Sequence, residues 1–332
     1  MDLDKYTTIA VPSGIGDSLW SMTKVSHIKK KTGKDIAIIV QETGFNRSDE
    51  FLSRFAFVDR AEYRPFAINS QDVFDPEGPY IYLQSTRAYQ GWDWLLIPNG
   101  HLERGHRLEE WMPELETDFT IGKQWKFDPV ELQNTVEFQN KIGPYVIFFL
   151  SGTASNTIAG HNRGPLWKPN DWLDLAKLLH TKYNVSVVIV GDKRDRSYVD
   201  DFIAIHDQPY IINLVGETKI GQTYAHILHA KAVFSYQSGI GIFSVYLGIP
   251  TVLWWRPYGD SISPNNYVTF KEEMASAWAP PWSLTNGRYL PQIYTRSSPL
   301  SIMHEIENRG WMNLERDLTM QDSMLLDVGS SA

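Results

Sequence analysis

The first apolar stretch of the chain, Thr7-Thr8-Ile9-Ala10-Val11, is short and β-branched, and it runs directly into Pro12-Ser13-Gly14-Ile15-Gly16-Asp17. This reads as a buried strand followed by a tight turn. From Ser18 the packing positions Leu19, Met22, Val25, Ser26 and Ile28 recur at helical spacing, until Lys29-Lys30-Lys31-Thr32-Gly33 supplies a basic last turn and a glycine stop. Asp35 to Val40 is a second buried strand, which completes a β-α-β unit with parallel strands. The pattern then weakens. Strands are expected at Tyr80 to Leu83 and Trp94 to Ile97, and a helix around Leu108 to Met112 follows the polar segment Pro98 to Arg107.

The second half is more regular. A strand at Tyr145 to Leu150 leads into a long loop, Ser151 to Pro169, after which Asn170-Asp171 is read as the cap of a helix carrying Trp172, Leu175, Ala176, Leu178 and Leu179. Strands at Val185 to Val190, Tyr210 to Leu214, Ala232 to Tyr236 and Thr251 to Trp254 then alternate with helices at Tyr198 to Ile205, Tyr224 to His229 and Ile240 to Leu247. Such alternation predicts a doubly wound α/β fold with mainly parallel sheets. Ligands of these sheets lie outside the carboxyl ends of the strands. The loops of interest are therefore Ser13 to Asp17, Ser151 to Pro169, Gly191 to Arg194, Gly216 to Gln222 and Gln237 to Gly241.

Composition narrows the classes. A chain of 332 residues, 42% hydrophobic and 21% charged, has apolar surface for two cores. Its net charge of −8 argues against coating nucleic acid or an anionic membrane through bulk charge. The absence of cysteine removes disulfides, thiolate nucleophiles and cysteine metal sites together. The acidic start Met1-Asp2-Leu3-Asp4 does not resemble a secretory signal, and the apolar runs are strand-length, so a cytoplasmic protein without stable membrane insertion is expected. Twelve Trp, 16 Tyr and 15 Phe suit stacking on sugars or bases, but core packing is the commoner use of any one of them.

Gly14 and Gly16 open a helix directly after a strand, where glycines allow close approach to the backbone and the helix end favours anions. Leu19 stands where a third glycine would complete a dinucleotide fingerprint, so that motif is not met. Asp17 is either a general base or a helix N-cap. The two roles conflict, because hydrogen bonds to the ionised form weaken a base. Gln237, Ser238, Gly239, Ile240 and Gly241 lie between a strand and a helix, and offer hydroxyl, amide and backbone donors suited to a phosphate; a packing turn is the competing reading. Arg163 and Lys168 are either phosphate cations or solvated surface charges, and His101, Arg104, His106 and Arg107 form a basic cluster suited to an acceptor or simply a solvated loop. His226 and His229 have metal-ligand spacing, but no nearby acidic residue or cysteine completes a set.

Together these segments resemble glycosyltransferase family 9, the heptosyltransferase-like enzymes. Pro12 to Leu19 is similar to that family's first-strand G-x-G-D segment, and Trp167-Lys168-Pro169-Asn170-Asp171-Trp172 to its basic W-P stretch. Leu214-Val215-Gly216-Glu217-Thr218 is similar to its L-x-G-x-T turn; Ser235 to Gly239, with Leu247-Gly248-Ile249-Pro250-Thr251-Val252, resembles its donor loop and following strand. The resemblance implies a GT-B fold of two facing Rossmann-like domains. Residues 1–140 would bind the acceptor, residues 141–316 would bind a nucleotide-sugar with a last helix near Ile302 to Asn308 crossing back, and residues 317–332 would form a loose tail. It also implies inverting transfer without a metal or other cofactor, with Asp17 as the base. Glu217 is the candidate partner of the donor's ribose hydroxyls. The acceptor would be a glycan or glycolipid.

Three departures separate the chain from that pattern. Gln237 replaces the usual aspartate, Ile242 replaces the usual histidine, and Leu166 stands where the basic residue usually precedes the W-P pair, with Lys168 in place of the tryptophan. They keep two other functions in view: a viral-type transferase acting on hydroxymethylated bases in DNA, and a nucleotide- or sugar-binding protein without turnover.

Overall fold

The computed structural model describes residues 6–11, 14–41, 48–64, 81–82, 124–150, 167–196, 199–200, 202, 207–236, 238–255, 286–293 and 297–314. The strand Trp94 to Ile97 and the helix Leu108 to Met112 expected from the sequence lie outside these residues, as does most of the helix Tyr198 to Ile205. The chain divides into two compact units, one running to Lys126 and the other beginning at Phe127.

In the first unit, β1 (Tyr6–Val11), α1 (Ile15–Thr32) and β2 (Asp35–Gln41) form the expected parallel β-α-β unit, with Tyr6 beside Asp35 and Val11 beside Val40. The apolar positions Leu19, Met22, Val25 and Ile28 recur every third residue along α1 and are all fully buried. Gly33 ends the helix in the left-handed region, φ +66°, and returns its N–H to Lys29 O at 2.9 Å. The helix begins at Ile15, one turn before the expected Ser18, with Gly14 as its N-cap. Two further elements were not expected from the sequence: α2 (Ser48–Ser53), whose buried Phe51 and Leu52 are too short a run to signal a helix, and β3 (Arg60–Arg64), a polar strand at the sheet edge. With β4 (Ile81–Tyr82) the sheet has the order β3-β2-β1-β4, every pair parallel.

The second unit begins with α3 (Pro129–Ile142), ahead of the 140/141 boundary read from the sequence. Its end signals are explicit: Asp128 accepts Val130 N–H at 2.7 Å, Pro129 occupies the first turn, and Gly143 follows the last. Six strands follow, β5 (Tyr145–Phe149), β6 (Ser186–Ile189), β7 (Ile211–Asn213), β8 (Val233–Tyr236), β9 (Thr251–Trp255) and β10 (Tyr289–Ile293). They form a parallel sheet in the order β10-β9-β8-β5-β6-β7, with Pro291 in the middle of the edge strand β10. Among the described residues the unit also holds the helices α4 (Pro169–Tyr183), α5 (Ile220–His229), α6 (Gly239–Tyr246) and α7 (Pro299–Asn308).

Both sheets grow outward from their first strand in the same manner, second and third strands on one side and fourth on the other, which is the Rossmann order. The N-cap of α4 is Lys168 rather than Asn170 or Asp171. Pro169 takes the first helical position, and Asp171 folds back to accept Lys168 N–H at 2.7 Å. Trp172, Leu175, Ala176 and Leu179 on this helix are buried, as expected. The last helix, α7, packs on α4 within the second unit, where Lys182 pairs with Glu307 at 2.5 Å. Among the described residues no helix is long and apolar enough to cross a membrane.

Candidate functional site

A doubly wound sheet opens a crevice where neighbouring strands send their connections in opposite directions. In the first unit that reversal lies between β1 and β4, in the second between β5 and β8. Each is bordered by a strand that runs through a glycine-containing turn into a helix: β1 into α1 at Gly14, and β8 into α6 at Ser238-Gly239. Topology therefore brings the two motifs singled out in the sequence to the strand reversal of their sheets, on the first strand in one and on the fourth in the other.

At the first turn, Gly14 is the N-cap (φ −72°, ψ 128°) and its carbonyl accepts Ser18 N–H at 2.8 Å. Asp17 is the third residue of α1, so it is not the N-cap, and the capping reading gives way to Gly14. The side chain of Asp17 lies outside the described residues. Gly16, in the first turn, is half-buried.

At the second turn a chain of hydrogen bonds sets the geometry. Ser235, fully buried, donates to Tyr236 O at 2.6 Å, which commits its only proton. The Oγ–Oγ contact of 2.9 Å between Ser235 and Ser238 then requires Ser238 as donor. Ser238 Oγ in turn accepts Gly241 N–H at 3.1 Å. The Ser238 proton is thus directed inward, and the groups left to meet an anion are the N–H groups of Gly239 and Ile240, which have no acceptor within the helix. Gly241 has a packing role: a Cβ there would lie 2.3 Å from Leu253 Cδ1 and 3.0 Å from Ser235 Oγ. Ile242 is buried, with its N–H on Ser238 O at 3.0 Å.

Tyr236, the last residue of β8, is held by an aromatic cluster. Trp172 Nε1 donates to Tyr236 Oη at 3.2 Å, and Tyr236 Oη reaches Trp167 O at 3.5 Å. The Trp167 and Trp254 rings are 4.5 Å apart, and both indoles donate to Ser297. Trp125, Trp167, Trp172, Trp254 and Trp311 are all buried, so these tryptophans fill cores rather than offer stacking faces. The exposed Lys168, next to buried Trp167, is thereby held near the end of β8.

The remaining candidates divide. Glu217 is paired with Arg196, whose Nε also donates to Val215 O at 3.2 Å. His226 is buried against Phe138, ring centroids 4.8 Å apart, with Gln222 Nε2 at 3.4 Å from its Nε2. Burial pushes its pKa down to about 4, and among the described residues no group of three His, Asp or Glu is placed to hold a metal. Arg163, Gln237 and the cluster His101, Arg104, His106 and Arg107 lie outside the described residues. Two contributions escaped the sequence reading: the inward hydrogen-bond relay of Ser235, a residue that enters that reading only within the donor-loop resemblance, and Arg196. A serine inside the apolar strand Val233-Phe234-Ser235-Tyr236 was the available signal for the first; nothing in the sequence marked the second.

Comparison with solved structures bears on the whole chain. The glycosyltransferase family 9 protein of Veillonella parvula superposes with a TM-score of 0.55 at 12% identity, covering 98% of both chains. The ADP-heptose lipopolysaccharide heptosyltransferase II of E. coli gives 0.53 at 15% identity, over 92% of this chain and 98% of that one. E. coli heptosyltransferase WaaC with ADP gives 0.51 at 13%, over 92% and 98%. The chain has a GT-B fold. Its two units are the Rossmann-like domains of that fold, and the turns at Gly14 and Ser238 lie at the strand reversal of each. No protein-family model matches the GT-B chain, and neither does any curated protein sequence.

Proposed function

We propose that the chain is an inverting glycosyltransferase that moves a sugar from a nucleotide-sugar to an acceptor hydroxyl without a metal ion. The observation that carries this reading is the recurrence of one arrangement in both Rossmann-like domains, a glycine-containing turn opening a helix at the strand reversal. The similarity to heptosyltransferases, of which one is solved with ADP and another is named for ADP-heptose, supports it. In this reading the second domain takes the donor, with its diphosphate on the N–H groups of Gly239 and Ile240 and with Lys168 and Arg163 as counter-charges.

The first domain takes the acceptor, a glycan or glycolipid hydroxyl, with the basic cluster His101 to Arg107 contributing to it. Asp17 removes the hydroxyl proton as the oxygen attacks the anomeric carbon, and the bond from that carbon to the phosphate oxygen breaks with inversion. Negative charge grows on the departing nucleoside diphosphate, and the helix end together with the cations stabilises it in place of a metal.

A thermal-shift panel with ADP, GDP, UDP, CMP and dTDP and their sugars tests the donor site. A nucleotide at about 100 times its Kd adds about 2.7 kcal/mol to stability, so one nucleotide is expected to raise Tm selectively. No shift with any of them removes the donor reading. Transfer is expected to persist in excess EDTA; a rate lost in EDTA and restored by Mg2+ or Mn2+ would overturn metal independence.

A further inference from the structure

The phenol of Tyr236 is the point where the end of β8 meets the start of α4. Its ring is buried in the indole cluster, with centroids 5.5 Å from Trp172 and 6.4 Å from Trp254. A phenylalanine would fill that space equally well, so the hydroxyl serves something other than burial, and a buried hydroxyl is costly unless it is paired. Here it is paired on both sides. It accepts from Trp172 Nε1 at 3.2 Å and donates to Trp167 O at 3.5 Å. The indole fixes the direction: its N–H can only donate, so the phenol oxygen accepts there and turns its own proton to the carbonyl.

That carbonyl belongs to the peptide group that carries the Lys168 N–H. The N–H is held by Asp171 Oδ2 at 2.7 Å, so both sides of this one peptide are fixed. The Trp167 indole is anchored as well, on Ser297 O at 3.2 Å. On the far side Lys168 O accepts Asp171 N–H at 2.9 Å, and Pro169 fixes the next φ. The backbone of Lys168 is thus tied before and after, while its side chain is exposed and makes no cap hydrogen bond. Two residues beyond Tyr236, Ser238 caps α6, whose first N–H groups have no acceptor within the helix. One hydroxyl therefore joins the two places that offer positive potential, the start of α6 and the ammonium of Lys168.

We propose that Tyr236 is a positioning residue: its hydroxyl fixes the peptide before Lys168 and so holds the ammonium beside the α6 turn for the donor's diphosphate. This rests on the donor-site reading above. A lysine is a flexible cation that loses freedom when it binds, and a backbone fixed beneath it lowers that cost.

The test is a thermodynamic cycle on the full chain, read by isothermal titration with ADP, GDP, UDP and CDP and, in parallel, by urea unfolding. Tyr236→Phe keeps the ring and removes only the hydroxyl. It is expected to weaken the best-bound diphosphate about three- to tenfold, the range for the lost pre-organisation of one side chain. In the Lys168→Met background the same change is expected to leave affinity unaltered, because the cation it serves is gone. The urea midpoint should fall equally in both backgrounds. Trp172→Phe, which removes the donor to the same hydroxyl, is expected to show the same dependence on Lys168. A hydroxyl that only supports the fold lowers the midpoint and leaves affinity untouched; that result overturns the assignment, as does an affinity loss of equal size in the Lys168→Met background. Either leaves the donor site standing. No binding of any diphosphate by the wild type overturns the donor-site reading and this assignment together.

Discussion

The turn after β1 and the turn after β8 both border the strand reversal of sheets of the same order, one on the first strand and the other on the fourth, and they are built differently. The first is capped by a glycine, which has no side chain to satisfy the helix end, and carries its acidic residue two positions into the helix. The second is closed from within by the relay from Gly241 through Ser238 and Ser235 to Tyr236 O, and the space beside its second glycine, Gly241, is filled by Leu253. The first turn has no side-chain cap, whereas the second is fixed in shape by its serines and leaves the N–H groups of Gly239 and Ile240 without an acceptor inside the helix. In the function proposed above, that division suits a turn whose Asp17 takes up a proton and a turn that holds a diphosphate still.

The largest effect expected from breaking this contrast is at Asp17. Asp17→Asn retains donor binding and lowers transfer by roughly 100- to 10,000-fold, the range of a lost general base, as a transfer assay beside a nucleotide titration would show. Near-normal turnover would remove the base from the first turn and with it the contrast in roles.

Acid probes the support of the second turn, which leans on α5 through the stack of Tyr224 on Phe243, centroids 3.7 Å apart. His226 on the same helix has a folded pKa of about 4, below its ordinary 6.5, because burial disfavours the charged ring. The unfolded chain then binds the extra proton first, so its contribution is fully present above pH 6.5, falls as pH drops, and is gone below about pH 4, a loss of up to about 3 kcal/mol. Urea titrations across that range should show the slope in the wild type and a flatter profile in His226→Leu.

Smaller effects distinguish packing from capping at the second turn. Gly241→Ala forces a methyl against Leu253 and Ser235 and is expected to cost about 1–3 kcal/mol, read as a lowered Tm. Ser238→Ala removes the cap and strands one hydroxyl contact, for about 1 kcal/mol. It should leave nucleotide affinity nearly intact, because its proton already points inward. A large loss of affinity in Ser238→Ala would instead make the hydroxyl itself a phosphate ligand.

The alternation of strands and helices was legible because buried parallel strands are continuously apolar, and every strand expected from Tyr145 to Trp254 is present. β3 was not, since an edge strand reading Arg60-Ala61-Glu62-Tyr63-Arg64 is polar and its identity comes from pairing with β2. α3 escaped through its thin apolar face, with only Leu132 and Thr135 buried, although Asp128-Pro129 and Gly143 mark both its ends. The same proline signal at Pro169 places the cap of α4 at Lys168. At the site, the motif residues were visible and their partners were not: the proton order through Ser235 and the grip of Arg196 on Glu217 arise from residues brought together by the sheet, which no local pattern records.

Pro291 carries a further consequence. Proline has no N–H to give a ladder, and it is tolerated inside a strand only where its nitrogen faces away from the neighbour. The outer rim of β10 therefore lacks a donor midway along, and an incoming strand from another molecule finds an interrupted template. Among the described residues the wider sheet ends at β10, and the proline there works against edge-to-edge pairing.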